Sequence, residues 1–163
     1  MTMSFKVEIT ANGEVVEGDS TILSMDRENT IEGLFFENAI ATARERGSGL
    51  ATGRRRHEPC KMHKRVCKAS PVLARALCNN EVITAKMTFY YPNPAGDGTT
   101  NELYIILLEE ARISSLQYVS SDALDPASAD SPMMEVVEIV YGKITWEHVP
   151  STKVHTDDWK HEA

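Results

Sequence analysis

The 163-residue chain is 42% hydrophobic and 25% charged, which supplies an ordinary core for a single unit spanning residues 1–163 and excludes a mainly disordered chain. No apolar run approaches the ~20 residues a membrane span needs, and the opening MTMSFKVEIT lacks the basic-then-apolar order of a cleaved signal. The net charge of −7 hides an asymmetry: residues 44–68 hold nine Lys/Arg against two Glu, and the remainder carries −14.

Read in chain order, the dominant signal is strand. Residues 5–10 alternate Phe5, Val7 and Ile9 with Lys6, Glu8 and Thr10, the period of a half-buried strand. Residues 31–43 form a weaker candidate. GSGLATG at 47–53 reads as a flexible lead into the basic stretch, where Cys60, Met62 and Val66 are expected to face the core. Ser70 is expected to cap a short helix, about Ser70 to Asn79, with Pro71 at its first position. Val72, Leu73, Ala76 and Leu77 make its apolar stripe, and Asn79-Asn80 closes it.

Beyond the helix, residues 82–91 place Ile83, Ala85, Met87, Phe89 and Tyr91 on one strand face. Two further strands are expected at 103–108 and 113–119. Turn-rich links at 91–101 and 120–132 separate these elements. Residues 133–149 form the longest candidate; their apolar parity changes around Gly142, the mark of a bulge or bend. The pattern predicts a mainly β protein: an antiparallel barrel or two-sheet sandwich with one short flanking helix.

The search for chemistry yields little. His57, Cys60, His63 and Cys67 are metal-ligand types within eleven residues. In an extended segment, however, His57 and His63 stand about 20 Å apart and Cys60 faces the other way. No metal or cofactor is expected. No phosphate-binding or nucleophile-elbow motif is present, so no catalytic residue is assigned and the chain is read as a non-enzyme. Asp157-Asp158 reads as a solvated turn. Nucleic acid is not expected as a partner, because the basic stretch has no aromatic residue for base stacking and the whole chain is acidic. Three cysteines, an odd number, fit reduced thiols better than a disulfide scaffold.

Three motifs in order carry a resemblance. His57–x–Pro59 precedes Lys68-Ala69-Ser70-Pro71-Val72-Leu73; Tyr141-Gly142-Lys143-Ile144-Thr145-Trp146-Glu147 follows; Asp157-Asp158-Trp159 ends the series. Together they resemble Hcp, the haemolysin-coregulated protein family of type VI secretion systems. The resemblance implies a small β-barrel with a flanking helix, assembled into homohexameric rings that stack as an inner tube. It also implies spike, sheath and effector proteins as partners, no stable membrane insertion, and a cytoplasmic stage followed by export without a signal peptide. The basic stretch opposite an acidic remainder suits contacts between unlike faces of neighbouring subunits. It makes Arg54, Arg55, Arg56, Lys61, Lys64 and Arg65 the candidate subunit or ring interface. The competing reading is a β-sandwich binding domain for a peptide or carbohydrate, with a Cys or His hydrolase a more distant third.

Overall fold

The structure, a computed structural model, describes residues 3–159. Alternating apolar residues build β1 (Phe5–Ala11), which pairs with the short β2 (Glu14–Val16), with β3 (Ile31–Glu37) and with β7 (Ile83–Pro92). From β3 the sheet continues to β6 (Cys60–Arg65) and β9 (Met134–Val140); from β7 it continues to β8 (Thr100–Val119). All pairings are antiparallel. Because β9 also pairs with the second half of β8, the path β8-β7-β1-β3-β6-β9 closes on itself as a barrel, and closure removes the unpaired edges an open sheet would expose.

Strand β8 is long enough to serve two neighbours. Residues Tyr104 to Glu109 pair with β10 (Lys143–His148), whereas Arg112 to Val119 pair with β9. Glu110, between the two stretches, has a left-handed backbone (φ 50°). The residues read from sequence as two strands are therefore one strand bent at Glu110. The parity change at Gly142 is borne out as the corner where β9 ends and β10 begins. Strand β11 (Lys153–Asp158) extends the sheet beyond β10.

The weaker candidate at 31–43 divides into β3 and β4 (Ile40–Arg44). Strand β4 pairs only with β5 (Ala51–His57), forming a two-stranded hairpin outside the barrel. Residues 47–53 are accordingly not a flexible lead. They form the hairpin tip, with Gly47 and Gly49 at positive φ, and the start of β5.

The core holds Val7, Ile9, Met62, Met87, Leu108, Ile139 and Ile144, all 1% exposed or less. At one end Phe5, Phe36 and Phe89 cluster with ring centroids 4.8–6.1 Å apart. Gly33 lies beneath Phe5, and a Cβ there would stand 2.2 Å from the ring. Strand β7 slips register between Phe89 and Tyr90. Tyr90 is consequently buried under the Arg27 guanidinium, 4.1 Å from its ring centre, and Tyr91 is half-buried, the reverse of strict alternation.

Helix α1 runs Ala69–Cys78, one residue earlier than expected, and packs chiefly on β8. Leu73 and Ala76 are buried, with Val72 and Leu77 packed partly against the core. Its C-terminus is a Schellman closure: Asn80 takes φ 52°, its N–H bonds Leu77 O, and the Glu81 N–H bonds Ala76 O. Leu73→Asp should destabilise the subunit by several kcal/mol, since an unpaired carboxylate would occupy a fully buried position. A chemical denaturation midpoint equal to the wild type would show that the helix face is not core.

Ser70 is not the cap. It sits in the first turn, buried, where its hydroxyl accepts from the Cys67 N–H (3.1 Å) and from Lys64 Nζ (3.1 Å) while donating to Glu135 (2.7 Å). The inward face of β6 is Cys60, Met62 and Lys64, and Val66 is 39% exposed beyond the strand end. A lysine thus occupies the barrel interior, its charge met by Glu135 Oε2 at 2.5 Å.

Candidate functional site

The basic hairpin meets the C-terminal strand through a clamp. Alternation along β5 puts Arg55 and His57 on a shared face. Arg55 donates twice to Asp157, Nε at 2.7 Å and Nη2 at 2.6 Å. His57 Nε2 lies 2.8 Å from the same carboxylate, and its Nδ1 lies 3.0 Å from the Tyr141 hydroxyl. Asn38 donates to that hydroxyl at 3.1 Å. Every donor finds an acceptor if Asn38 donates to Tyr141, Tyr141 to His57 Nδ1, and His57 Nε2–H to Asp157. The imidazole is closed in by Trp159, stacked at 5.3 Å, and by Tyr141, edge-on at 5.3 Å.

Asp157 is therefore an anchor and not a solvated turn. The Arg55 guanidinium, with a further contribution from His57, holds its carboxyl below the usual range. Burial pushes the Tyr141 phenol up to about 12. The His57 side chain is 1% exposed, so this Asp–His–Tyr series meets no solvent-borne substrate at its imidazole. What it does is pin the hairpin to β11 and to the β9–β10 corner, where the Trp159 N–H bonds Gly142 O.

Beside the clamp lies an open cleft of about 540 Å³. Arg54, Arg55, Arg112, Glu110, Val140 and Trp159 contribute to its walls. Arg112 is fixed by donating to the Asn80 carbonyl.

The six candidate interface cations stand in different environments. Arg54 is exposed at the cleft. Arg56 and Arg65 are exposed but paired within the subunit, with Glu58 at 2.7 Å and Glu32 at 3.3 Å. Lys61 is half-buried, opposite Glu37 and Glu138 on the flanking strands. Arg55 belongs to the clamp. Lys64 is 0% exposed and cannot meet another subunit, which corrects its assignment. Strand parity places it inward with Met62. The interior partner, Glu135, lies some seventy residues away and gave no sequence signal of its own.

The four metal-ligand types are also dispersed. Both His57 nitrogens are engaged, the His63 ring packs on Phe35 at 4.5 Å, and Cys60 faces the core. No three His, Cys, Asp or Glu among the described residues stand close enough to hold a metal ion. Burial raises the Cys60 thiol to about 12, whereas Cys78 is exposed. Iodoacetamide at pH 8 should modify Cys78 first and leave Cys60 intact until unfolding. Peptide mapping that finds Cys60 alkylated in the native protein would contradict its burial.

A closed antiparallel barrel flanked by one helix, carrying a side hairpin clamped to its last strand, defines the class of fold. Solved structures are similar in overall fold. The Hcp1 protein from E. coli EAEC 042 aligns at TM-score 0.81 with 24% identity, over 96% of this chain and 99% of that one. The secreted protein Hcp3 from Pseudomonas aeruginosa aligns at 0.74 with 22% identity, over 96% and 97%. The family described as "Type VI secretion system effector, Hcp" matches residues 7–148. A protein of Pseudomonas aeruginosa PAO1 named "Major exported protein" is 34% identical over 125 residues, 77% of this chain and 72% of that relative. The chain belongs to the Hcp family of type VI secretion.

Proposed function

We propose that this chain is a structural subunit of a type VI inner tube. One barrel unit assembles into homohexameric rings, which stack, carry effectors and leave the cell with them through the apparatus. The observation that carries this reading is the β4–β5 hairpin. A lone two-stranded hairpin is marginal in water, and this one is held on its inner side by the Arg55–Asp157 clamp. Ile40, opposite His57, lies on the clamp side, whereas the outer side presents Arg54 and Arg56, with Leu50 65% exposed towards the tip. A neighbouring copy that covered this side would complete its burial. Family membership supports the oligomer, and the relative named as exported supports secretion. A non-catalytic role fits the clamp, whose imidazole is sealed under Trp159. Spike and sheath components are the expected further partners, with nucleic acid not among them.

Negative-stain microscopy over a concentration series tests the reading, with ring-shaped particles as the expected result. Monomers at every concentration would overturn it in favour of a stand-alone barrel domain that binds a peptide or carbohydrate. The hairpin can be tested separately. Arg54→Glu with Arg56→Glu should weaken assembly and leave the melting temperature nearly unchanged, because exposed charges contribute only about 0–1 kcal/mol each to folding. Adding Arg55→Glu should lower the melting temperature as well, since that side chain holds Asp157. Normal assembly by the double variant would remove these two arginines from the interface.

A further inference from the structure

The two ends of the β8–β9 ladder carry opposite chemistry. At one end Arg112 pairs with Val140; at the other Val119 pairs with Met134. Seven residue steps separate them, roughly 23 Å at strand rise. The Arg112 end opens into the cleft of Arg54, Arg112, Val140 and Trp159, where the Arg54 and Arg112 guanidinium groups stand beside Glu110 and the Arg55 guanidinium is held by Asp157. Val140 and Trp159 there are 39% and 37% exposed. The Val119 end leads into residues 120–132, which hold Asp122, Asp125 and Asp130 and no Lys or Arg. In their midst Leu124 is 90% exposed, between Asp122 and Asp125.

The loop is held in a defined shape. Asp122 Oδ1 accepts from the Leu124 N–H at 2.9 Å, and Asp125 Oδ1 accepts from the Ala127 N–H at 3.0 Å. Successive turns link Asp125 to Asp122 and Ser128 to Asp125. Leu124 is thereby presented as an apolar tip flanked by carboxylates. The cleft offers the inverse, an apolar wall of Val140 and Trp159 flanked by guanidinium groups. Loop and cleft lie at opposite ends of the same ladder, so a subunit cannot fill its own cleft, whereas a second copy placed end to end can.

We propose that the 120–132 loop of one copy docks in the Arg54–Arg112–Trp159 cleft of a copy in the next ring, Leu124 against Val140 and Trp159, Asp122 and Asp125 against the arginines. The inference rests on the ring reading above and specifies its axial joint. The contact is heterologous, one patch on a different patch, and therefore propagates along an axis without closing. It also gives the stack a direction, because only one end of each ring carries free loops.

Two proteins test this, Leu124→Cys and Val140→Cys, each also carrying Cys78→Ser to remove the exposed native thiol. They are assembled separately, one with a tag that changes its gel mobility, then mixed and oxidised. The expected product is a covalent heterodimer well above the homodimer background. Adding Arg54→Asp to the Val140→Cys protein should reduce that band several-fold, and Asp122→Arg in its partner should restore it. Rings that form normally but give no heterodimer above background overturn the loop-in-cleft joint alone. A heterodimer insensitive to the charge changes overturns the proposed recognition chemistry. Wild-type protein that is monomeric at all concentrations removes the ring reading, and this joint with it.

Discussion

Lys64→Met is expected to lower folding stability by about 3–5 kcal/mol, the usual cost of removing one member of a buried ion pair. Lys64 and Glu135 are both 0% exposed, with Nζ 2.5 Å from Oε2. The ammonium also reaches the Arg65 carbonyl at 3.2 Å and Ser70 Oγ at 3.1 Å, so it joins β6, β9 and α1. Without it, the buried Glu135 carboxylate loses its counter-charge and keeps the Ser70 hydroxyl and the cross-strand Tyr118 phenol as polar neighbours. At this chain length the loss corresponds to roughly 6–20 °C in melting temperature, taking 2–4 °C per kcal/mol. The double change Lys64→Met with Glu135→Leu should recover most of the loss, because an apolar pair of similar volume carries no desolvation penalty. A single variant as stable as the wild type, by urea denaturation, would mean that the pair is not buried as described.

Asp157→Asn should cost about 1.5–3 kcal/mol, the range for a hydrogen bond to a charged group, by weakening the grip of Arg55 and His57 on the C-terminal strand. Its pH dependence is distinctive. The folded-state value of Asp157 is depressed, chiefly by Arg55. The unfolded state therefore takes up a proton first as the solution is acidified. The clamp's contribution is fully present above the ordinary carboxylate range near 3.8, and it is lost as pH falls through the lower folded value. The stability gap between wild type and variant should accordingly be flat above about pH 5 and narrow below pH 4. A gap that closed between pH 6 and 8 would assign the effect to a group other than this carboxylate.

Much of the fold was legible because alternation is a local signal. Phe5, Val7 and Ile9 identify β1 without any partner, and Leu73 with Ala76 identifies the helix. The parity change at Gly142 marked the β9–β10 corner for the same reason. What escaped is non-local. Nothing near residue 110 announces that one strand turns from β10 to β9 there, and a glutamate is an unusual residue for a left-handed backbone. Strand β4 has one large apolar side chain, Ile40, and pairs with β5 outside the barrel, so its residues show no buried, alternating face.

The candidate site was legible as composition and not as geometry. Counting charge marked residues 44–68, and that count treated nine cations alike. The structure divides them: Lys64 is inside, Arg55 is a clamp, Arg56, Arg65 and Lys68 have carboxylates nearby, and Arg54 faces the cleft. Strand parity could have shown that Lys64 shares a face with Met62 and Cys60. The aversion to burying lysine obscures that parity until Glu135 is seen beside it. Asp157 was hidden in the same way, since its partners precede it by a hundred residues.

The mass of the assembled particle tests the central claim most directly. Native mass spectrometry of the unmodified protein should give a dominant species of about 109 kDa, six times the 18.1 kDa subunit, with multiples of it as rings stack. A single species at 18.1 kDa across the accessible concentrations would contradict the account.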